Sequence, residues 1–361
     1  MDPLARPALK YVPAYVSGRR AAPAGQAPVA HLASNENPLG ASPRALQALA
    51  REAAGWARYP DDDASSLREA LAAHLNVPAA CVAVGAGSSA LLKLLAEAYL
   101  DGSRTAVYAW PSFPLYPLVV RLQEAVEVQV PLDPAGRHDL EEMGRFARQA
   151  HVVIVCNPNN PTGTYLSGPE LEAFLDQLPP EVLVVLDEAY AEFARHATPD
   201  YPDGVRWVRE GRRVAVLRSF SKVYGLAGLR VGYLVAPAEV VEAVVRAREP
   251  FQVSAPAQAA ALAALSDAAH VARTLEVVAR GRDRLQQLAG ELGLRTYRSV
   301  ANFVWLDTGR PARQLAAQLA QRGVLVRPGP DTATWVRVSV GTPEEVDQFE
   351  AALREVLNTP A

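Results

Sequence analysis

Lysine is scarce in this chain of 361 residues: among 36 basic side chains only Lys10, Lys93 and Lys222 are lysines, and the other 33 are arginines. Arginine serves almost everywhere that charge alone is needed, so a surviving lysine is a candidate for chemistry that only an amine can do. Lys10 near the start and Lys93 in a helical pattern fit ordinary retention, whereas Lys222 sits in a Ser-Phe-Ser-Lys segment. Cysteine is nearly absent too. Cys81 and Cys156 could form one bridge at most, and each lies in an apolar, strand-like run, so both are expected to be buried free thiols in a reducing cytoplasm. No basic excess exists: Lys+Arg of 36 against Asp+Glu of 39 gives a net charge of −3, which argues against nucleic acid as a main partner. The uncharged stretch His151–Pro169 carries Asn, Pro and Gly throughout, so it does not read as a membrane span. After Met1 no apolar segment precedes a small-residue cleavage site, so the expected location is cytoplasmic.

At about 150 residues per domain the length suggests two domains. Apolar runs at Cys81–Val84, Thr105–Tyr108, Val126–Val130, Val152–Cys156, Val182–Leu186, Val214–Arg218 and Gly232–Val235 alternate with helical periodicity. This pattern predicts an α/β fold in which helices cover a large, mostly parallel sheet of seven strands. Ser88–Tyr99, Pro169–Gln177 and Ala238–Arg248 show helical spacing. From Ala255 to Leu292 the chain is rich in Ala, Leu and Arg, which suggests one or two long helices leading away from the sheet. Asn302–Leu306, Pro311–Arg322, Val336–Val340 and Pro343–Val356 then read as strand, helix, strand, helix of a small α+β unit. The expected division is an N-terminal arm at 1–39, a large domain at 40–250 and a small C-terminal domain at 251–361, with the arm contributing to the small one.

Val82-Ala83-Val84-Gly85-Ala86-Gly87-Ser88-Ser89-Ala90 runs from a strand into a helix, where backbone N–H groups and the helix dipole favour an anion such as phosphate. The glycine spacing also fits a dinucleotide fingerprint. That reading wants an acidic residue at the end of the next strand, and none occurs between Asp101 and Glu124. A plain structural turn is the other alternative.

Further segments fall at the carboxyl ends of predicted strands, where open α/β sheets bind ligands. Asn157-Pro158-Asn159-Asn160-Pro161-Thr162-Gly163 follows one strand as a rigid turn able to aim an amide. Asp187-Glu188-Ala189-Tyr190 ends another, placing a carboxylate at the rim of a buried strand, where an unpaired acid would be costly. Ser219-Phe220-Ser221-Lys222 follows a third, and Gly225-Leu226-Ala227-Gly228-Leu229-Arg230 comes just after it. An amine, a carboxylate, hydroxyls and a guanidinium are what a phosphorylated pyridine aldehyde requires: a Schiff-base lysine, a partner for the ring nitrogen and donors for the phosphate.

In these segments the sequence resembles the fold-type I pyridoxal-phosphate aminotransferases, whose fold is that of aspartate aminotransferase. Within them, Ser34-Asn35-Glu36-Asn37-Pro38-Leu39-Gly40, Arg58-Tyr59-Pro60, Ala301-Asn302-Phe303 and Val336-Arg337-Val338-Ser339-Val340-Gly341-Thr342 resemble the histidinol-phosphate branch, which serves histidine biosynthesis. The resemblance implies pyridoxal 5'-phosphate as cofactor, with Lys222 as the Schiff-base lysine and Asp187 on the pyridine nitrogen. It puts Asn160 and Tyr190 on the ring hydroxyl, Phe113 on the ring face, and Ser88, Ser89, Ser219, Ser221 and Arg230 on the phosphate. Tyr59 would reach the phosphate of a neighbouring subunit, implying a homodimer with shared active sites. Asn35, Arg327 and Arg337 would bind substrate, and no metal is implied. The substrates implied are histidinol phosphate or imidazole-acetol phosphate together with glutamate or 2-oxoglutarate. An aromatic or broad-range aminotransferase, or a threonine-phosphate decarboxylase, would share the cofactor residues, whereas a cofactor-binding regulator would add a nucleic-acid-binding module. Two departures stand out. Ser-Ser-Ala follows Gly87 where the family usually has an acidic pair, and the arm around Tyr11 and Tyr15 follows only loosely the usual tyrosine-proline-glycine pattern.

Overall fold

The computed structural model describes residues 6–12 and 29–358; Tyr15 and most of the expected arm lie outside them. In chain order the strands are β1 (Ala30–His31), β2 (Val82–Gly85), β3 (Thr105–Trp110), β4 (Val126–Pro131), β5 (Val152–Cys156), β6 (Leu183–Asp187), β7 (Val214–Ser219), β8 (Gly232–Val235), β9 (Arg295–Thr296), β10 (Phe303–Asp307), β11 (Val324–Leu325), β12 (Arg327–Pro328) and β13 (Trp335–Ser339). Seven of them form one sheet in the order β2-β8-β7-β6-β5-β3-β4. All run the same way except β8, which is antiparallel to both neighbours. The mostly parallel sheet expected from the apolar runs is therefore present.

β5, β6 and β7 are buried along their whole length because helices cover both faces, which is why they read as unbroken apolar runs. The period of two sorts their residues: Val153 and Val155 enter one core, while Val152, Ile154 and Cys156 enter the other. The first helices are α1 (Pro43–Glu52), α2 (Ser65–Leu75), α3 (Ser88–Tyr99) and α4 (Leu115–Leu122). α3 lays Leu91, Leu92, Leu94 and Leu95 on the second core, and α4 adds Tyr116, Val119 and Val120.

A second, antiparallel sheet has the order β12-β13-β10-β9, and β1 pairs in parallel with β11.

One expectation needs correction. Cys81 ends a 3-10 turn, Ala79–Cys81, instead of beginning a strand, and it is only half-buried; its N–H donates to Pro78 O at 2.9 Å to close that turn, so the strand begins at Val82. The stretch 255–292 forms two helices, Ala255–Leu265 and the longer Ala268–Glu291, as its composition suggested; the first is the short one. Its small side chains Ala257, Ala260, Ala261 and Ala264 are buried, and it packs closely on α1 and α2. Within the expected arm, Ala30 and Leu32 are fully buried, and Leu32 N–H donates to Leu325 O at 2.9 Å.

Candidate active site

Because six strands share one direction, the residues following β2, β3, β5, β6 and β7 meet at a single sheet edge, and the start of β8 joins them there. A cavity of about 400 Å³ opens on that edge. It is walled on its other side by β12, β13 and the segment around Asn35.

Asp187 closes β6 in register with Cys156 of β5 and Leu217 of β7. Its carboxylate is buried yet partnered: Tyr116 Oη donates to Oδ2 at 2.9 Å, and Ala189 N–H to Oδ1 at 3.3 Å. Burial raises its pKa above the ordinary range, and these donors oppose the shift. Lys222 lies three residues beyond β7, donates from Nζ to Ser34 O at 3.1 Å, and sits 5.6 Å from the centre of the Tyr190 ring. Burial pushes its amine down to about 7, and the nearby positive charges of Arg337 and Arg230 act in the same direction. Tyr190 Oη accepts from Asn35 Nδ2 at 2.9 Å, and burial pushes the phenol up to about 12.

Arg337 on β13 donates from Nη1 to Asn160 Oδ1 at 2.6 Å and from Nη2 to Ala33 O at 2.8 Å. Arg327 is its direct cross-strand partner on β12, and both line the cavity. Like charges opposite one another weaken a sheet, so the pairing makes sense as a place for an anion. Asn35 is anchored on the same wall, with its N–H donating to Ser339 Oγ at 2.8 Å.

At the other end, α3 begins after Gly87, which has no side chain with which to cap the helix. Gly87 adopts φ +91°, and a Cβ there would meet Arg230 Nη2 at 2.5 Å. Gly232 on β8 is equally constrained, since a Cβ would lie 2.5 Å from Ser88 N. The two glycines leave room where the N-terminus of α3, the hydroxyls of Ser219 and Ser221 and the guanidinium of Arg230 converge on the cavity, and Arg230 Nη1 donates to Ser221 Oγ at 3.4 Å. This donor set matches a phosphate group. With a carboxylate at one end, an anion cradle at the other and an amine between, the residues fit a phosphorylated pyridine aldehyde.

Residues 27–353 match the family model for aminotransferase class I and II. The chain belongs to that family. It is 44% identical over 333 residues to a histidinol-phosphate aminotransferase of Moorella thermoacetica, covering 91% of this chain and 86% of the relative. It is also 44% identical over 354 residues to an aromatic amino acid aminotransferase of Thermobifida fusca, covering 98% and 97%. A crystal structure of histidinol-phosphate aminotransferase from Sinorhizobium meliloti in complex with pyridoxal-5'-phosphate superposes with a TM-score of 0.86 at 31% identity, over 91% of each chain. The fold is thus that of the aspartate aminotransferases, and this aminotransferase is an enzyme.

Of the residues singled out from the sequence, Asn35, Ser88, Ser89, Phe113, Asn160, Asp187, Tyr190, Ser219, Ser221, Lys222, Arg230, Arg327 and Arg337 all line the one cavity. Tyr59 does not. It is 83% exposed and stacks on Phe251 at 4.7 Å, beside the exposed Trp56. Sequence reading missed Tyr116, although it lies in the same Pro-Ser-Phe-Pro-Leu-Tyr segment as Phe113, and it missed Glu36, a second cavity-lining carboxylate. Among the described residues no helix is long and apolar enough to cross a membrane.

Proposed function

We propose that this aminotransferase carries pyridoxal 5'-phosphate and exchanges an amino group between histidinol phosphate and 2-oxoglutarate, yielding imidazole-acetol phosphate and glutamate. The observation that carries the reading is a second anion site. Arg327 and Arg337 face each other on β12 and β13 and line the same cavity as the cradle at α3. One anion site suits the cofactor's phosphate. The other suits a substrate that has a phosphate and no carboxylate, and guanidiniums accept the carboxylates of glutamate equally well.

When bound, the cofactor supplies an aldehyde that condenses with amines and a ring that accepts electrons. The chain does the rest. Asp187, ionised, holds a proton on the pyridine nitrogen, while Ser88, Ser89, Ser219, Ser221 and Arg230 grip the phosphate and Phe113 covers the ring face. Asn160 and Tyr190 orient the ring oxygen. Lys222, its amine only partly protonated near pH 7, would act as the nucleophile toward that aldehyde and would carry a proton at the substrate α-carbon. Arg327 and Arg337 hold the far end of the substrate, with Asn35 fixing the wall between them and Tyr190.

The same reading makes the enzyme a cytoplasmic homodimer in which Tyr59 reaches the phosphate end of the partner's cavity. Its exposure beside Trp56 and Phe251, away from the cavity of its own subunit, supports this. A second reading, aromatic amino acid transamination, is favoured by the equal identity to the Thermobifida fusca relative. Comparing kcat/KM for histidinol phosphate, phenylalanine and tyrosine separates the two: the first reading requires histidinol phosphate to be preferred and unphosphorylated histidinol to be poor. Release of carbon dioxide from threonine phosphate would replace both.

A further inference from the structure

Tyr116 occupies the first turn of α4 and is fully buried. Its hydroxyl donates to Asp187 Oδ2 at 2.9 Å, a hydrogen bond spanning 71 residues of sequence. Its ring meets Phe113 edge-on at 5.7 Å and Tyr108 at 5.8 Å. One side chain therefore touches both the aromatic ring and the carboxylate that Proposed function assigns to the cofactor's pyridine.

We propose that Tyr116 is a positioning residue that keeps the Asp187 carboxylate ionised and aimed into the cavity, so that the site retains pyridoxal phosphate with its ring nitrogen protonated; this inference rests on the function proposed above. The groups around Asp187 are Tyr116 from α4, Cys156 from β5, its neighbour Glu188, Tyr190, and Lys222 from beyond β7. Burial pushes the Cys156 thiol up to about 12 and the Tyr190 phenol up to about 12, so both are neutral and neither offers a cation. Glu188 spends its own carboxylate on Arg218 and the Gly204 amide. Among the described residues, side-chain donation to Asp187 comes from Tyr116, with the Ala189 amide on the other oxygen. A buried carboxylate stripped of a donor shifts toward its neutral form, and a neutral acid cannot hold the pyridinium proton.

The test uses the full-length protein with pyridoxal phosphate itself as probe. Tyr116→Phe keeps the ring packing and removes only the hydroxyl. Tyr108→Phe, the same deletion at another buried phenol, whose hydroxyl bonds to Glu127 and Gln129, is the control. Dissociation constants are measured from pH 5 to 9, with thermal unfolding of the cofactor-free proteins as a fold check. Tyr116→Phe should weaken binding about tenfold at pH 7 and move the low-pH loss of binding to higher pH. Tyr108→Phe should do neither. In an Asp187→Asn background the same substitution should change the dissociation constant less than about twofold, because the group it acts through is gone. Equal weakening with and without Asp187, or a low-pH limb that stays where it is in wild type, would overturn the inference. If wild type binds the cofactor and Tyr116→Phe binds it equally well, this inference alone fails; if wild type does not bind it, the proposed function fails first.

Discussion

The floor of the cavity is made by neighbours in one sheet, whereas its wall joins residues from opposite ends of the chain. On the floor, Cys156, Asp187 and Leu217 are register partners on three adjacent parallel strands, so the ladder that forms the sheet also places Asp187 and the loop to Lys222. On the wall, Arg337 bonds to Ala33 and Asn35 to Ser339, each across 304 residues, and Arg337 reaches Asn160 across 177. The floor is positioned by backbone and the wall largely by side chains. Changes to the floor should therefore cost chemistry, and changes to the wall should cost substrate choice.

The largest expected effect is on the floor. Lys222→Ala should lower kcat by about 10³-fold or more for every amino donor, since it removes the proton carrier and nucleophile together. Retained turnover in a purified sample would place the chemistry on another residue. On the wall, Arg337→Ala or Arg327→Ala should lower kcat/KM for histidinol phosphate by roughly ten- to a hundredfold, the cost of a charge-assisted contact of about 1.5–3 kcal/mol. Bound cofactor, measured by absorbance, should be little changed. A parallel loss of cofactor would erase the distinction between the two regions. Mixing Lys222→Ala with Tyr59→Phe chains should give activity above either parent, because a hybrid dimer has one site free of both lesions. Proven subunit exchange without recovery would confine Tyr59 to its own subunit.

The smallest effect concerns stability and pH. Folding lowers the Lys222 pKa from 10.5 to about 7 in the cofactor-free protein. Between those values the unfolded chain keeps a proton that the folded chain has lost, so this group's contribution to stability rises with pH through that window. Below pH 7 the folded protein carries the full cost of the buried charge. Cofactor-free Lys222→Met should therefore melt higher than wild type below pH 7, and the gap should narrow toward pH 10. A difference independent of pH would mean that packing, not charge, sets it.

The floor was the legible part of the sequence. Strands buried on both faces show as apolar runs, and each functional residue follows its run by a few positions, so Asp187, Ser219 and Lys222 could be picked out from local order alone. The reversed direction of β8 leaves no trace in Gly232–Val235, because an antiparallel strand buried on both faces has the same composition as a parallel one. Asn35 and Arg337 were reached through resemblance, since no local pattern announces a partner 304 residues away. Tyr116 was passed over for the same reason: an aromatic at helical spacing reads as core, and its ring is core, while the functional atom is a single hydroxyl aimed at a strand 71 residues on.

The long-range wall has a consequence for how the protein is born. Translation finishes the strands of the seven-stranded sheet at Val235, about a hundred residues before Arg327 and Arg337 emerge. The segment from Ala30 to Asn35, made first, must wait for β11 and β13, made near the end, before its backbone has a strand to pair with. Domains and sheets fold as their residues become available, and contacts of long sequence separation form late. A nascent or truncated chain could thus complete the cofactor's floor while the substrate wall does not yet exist, and selectivity for the amino donor is the last property that the growing chain acquires.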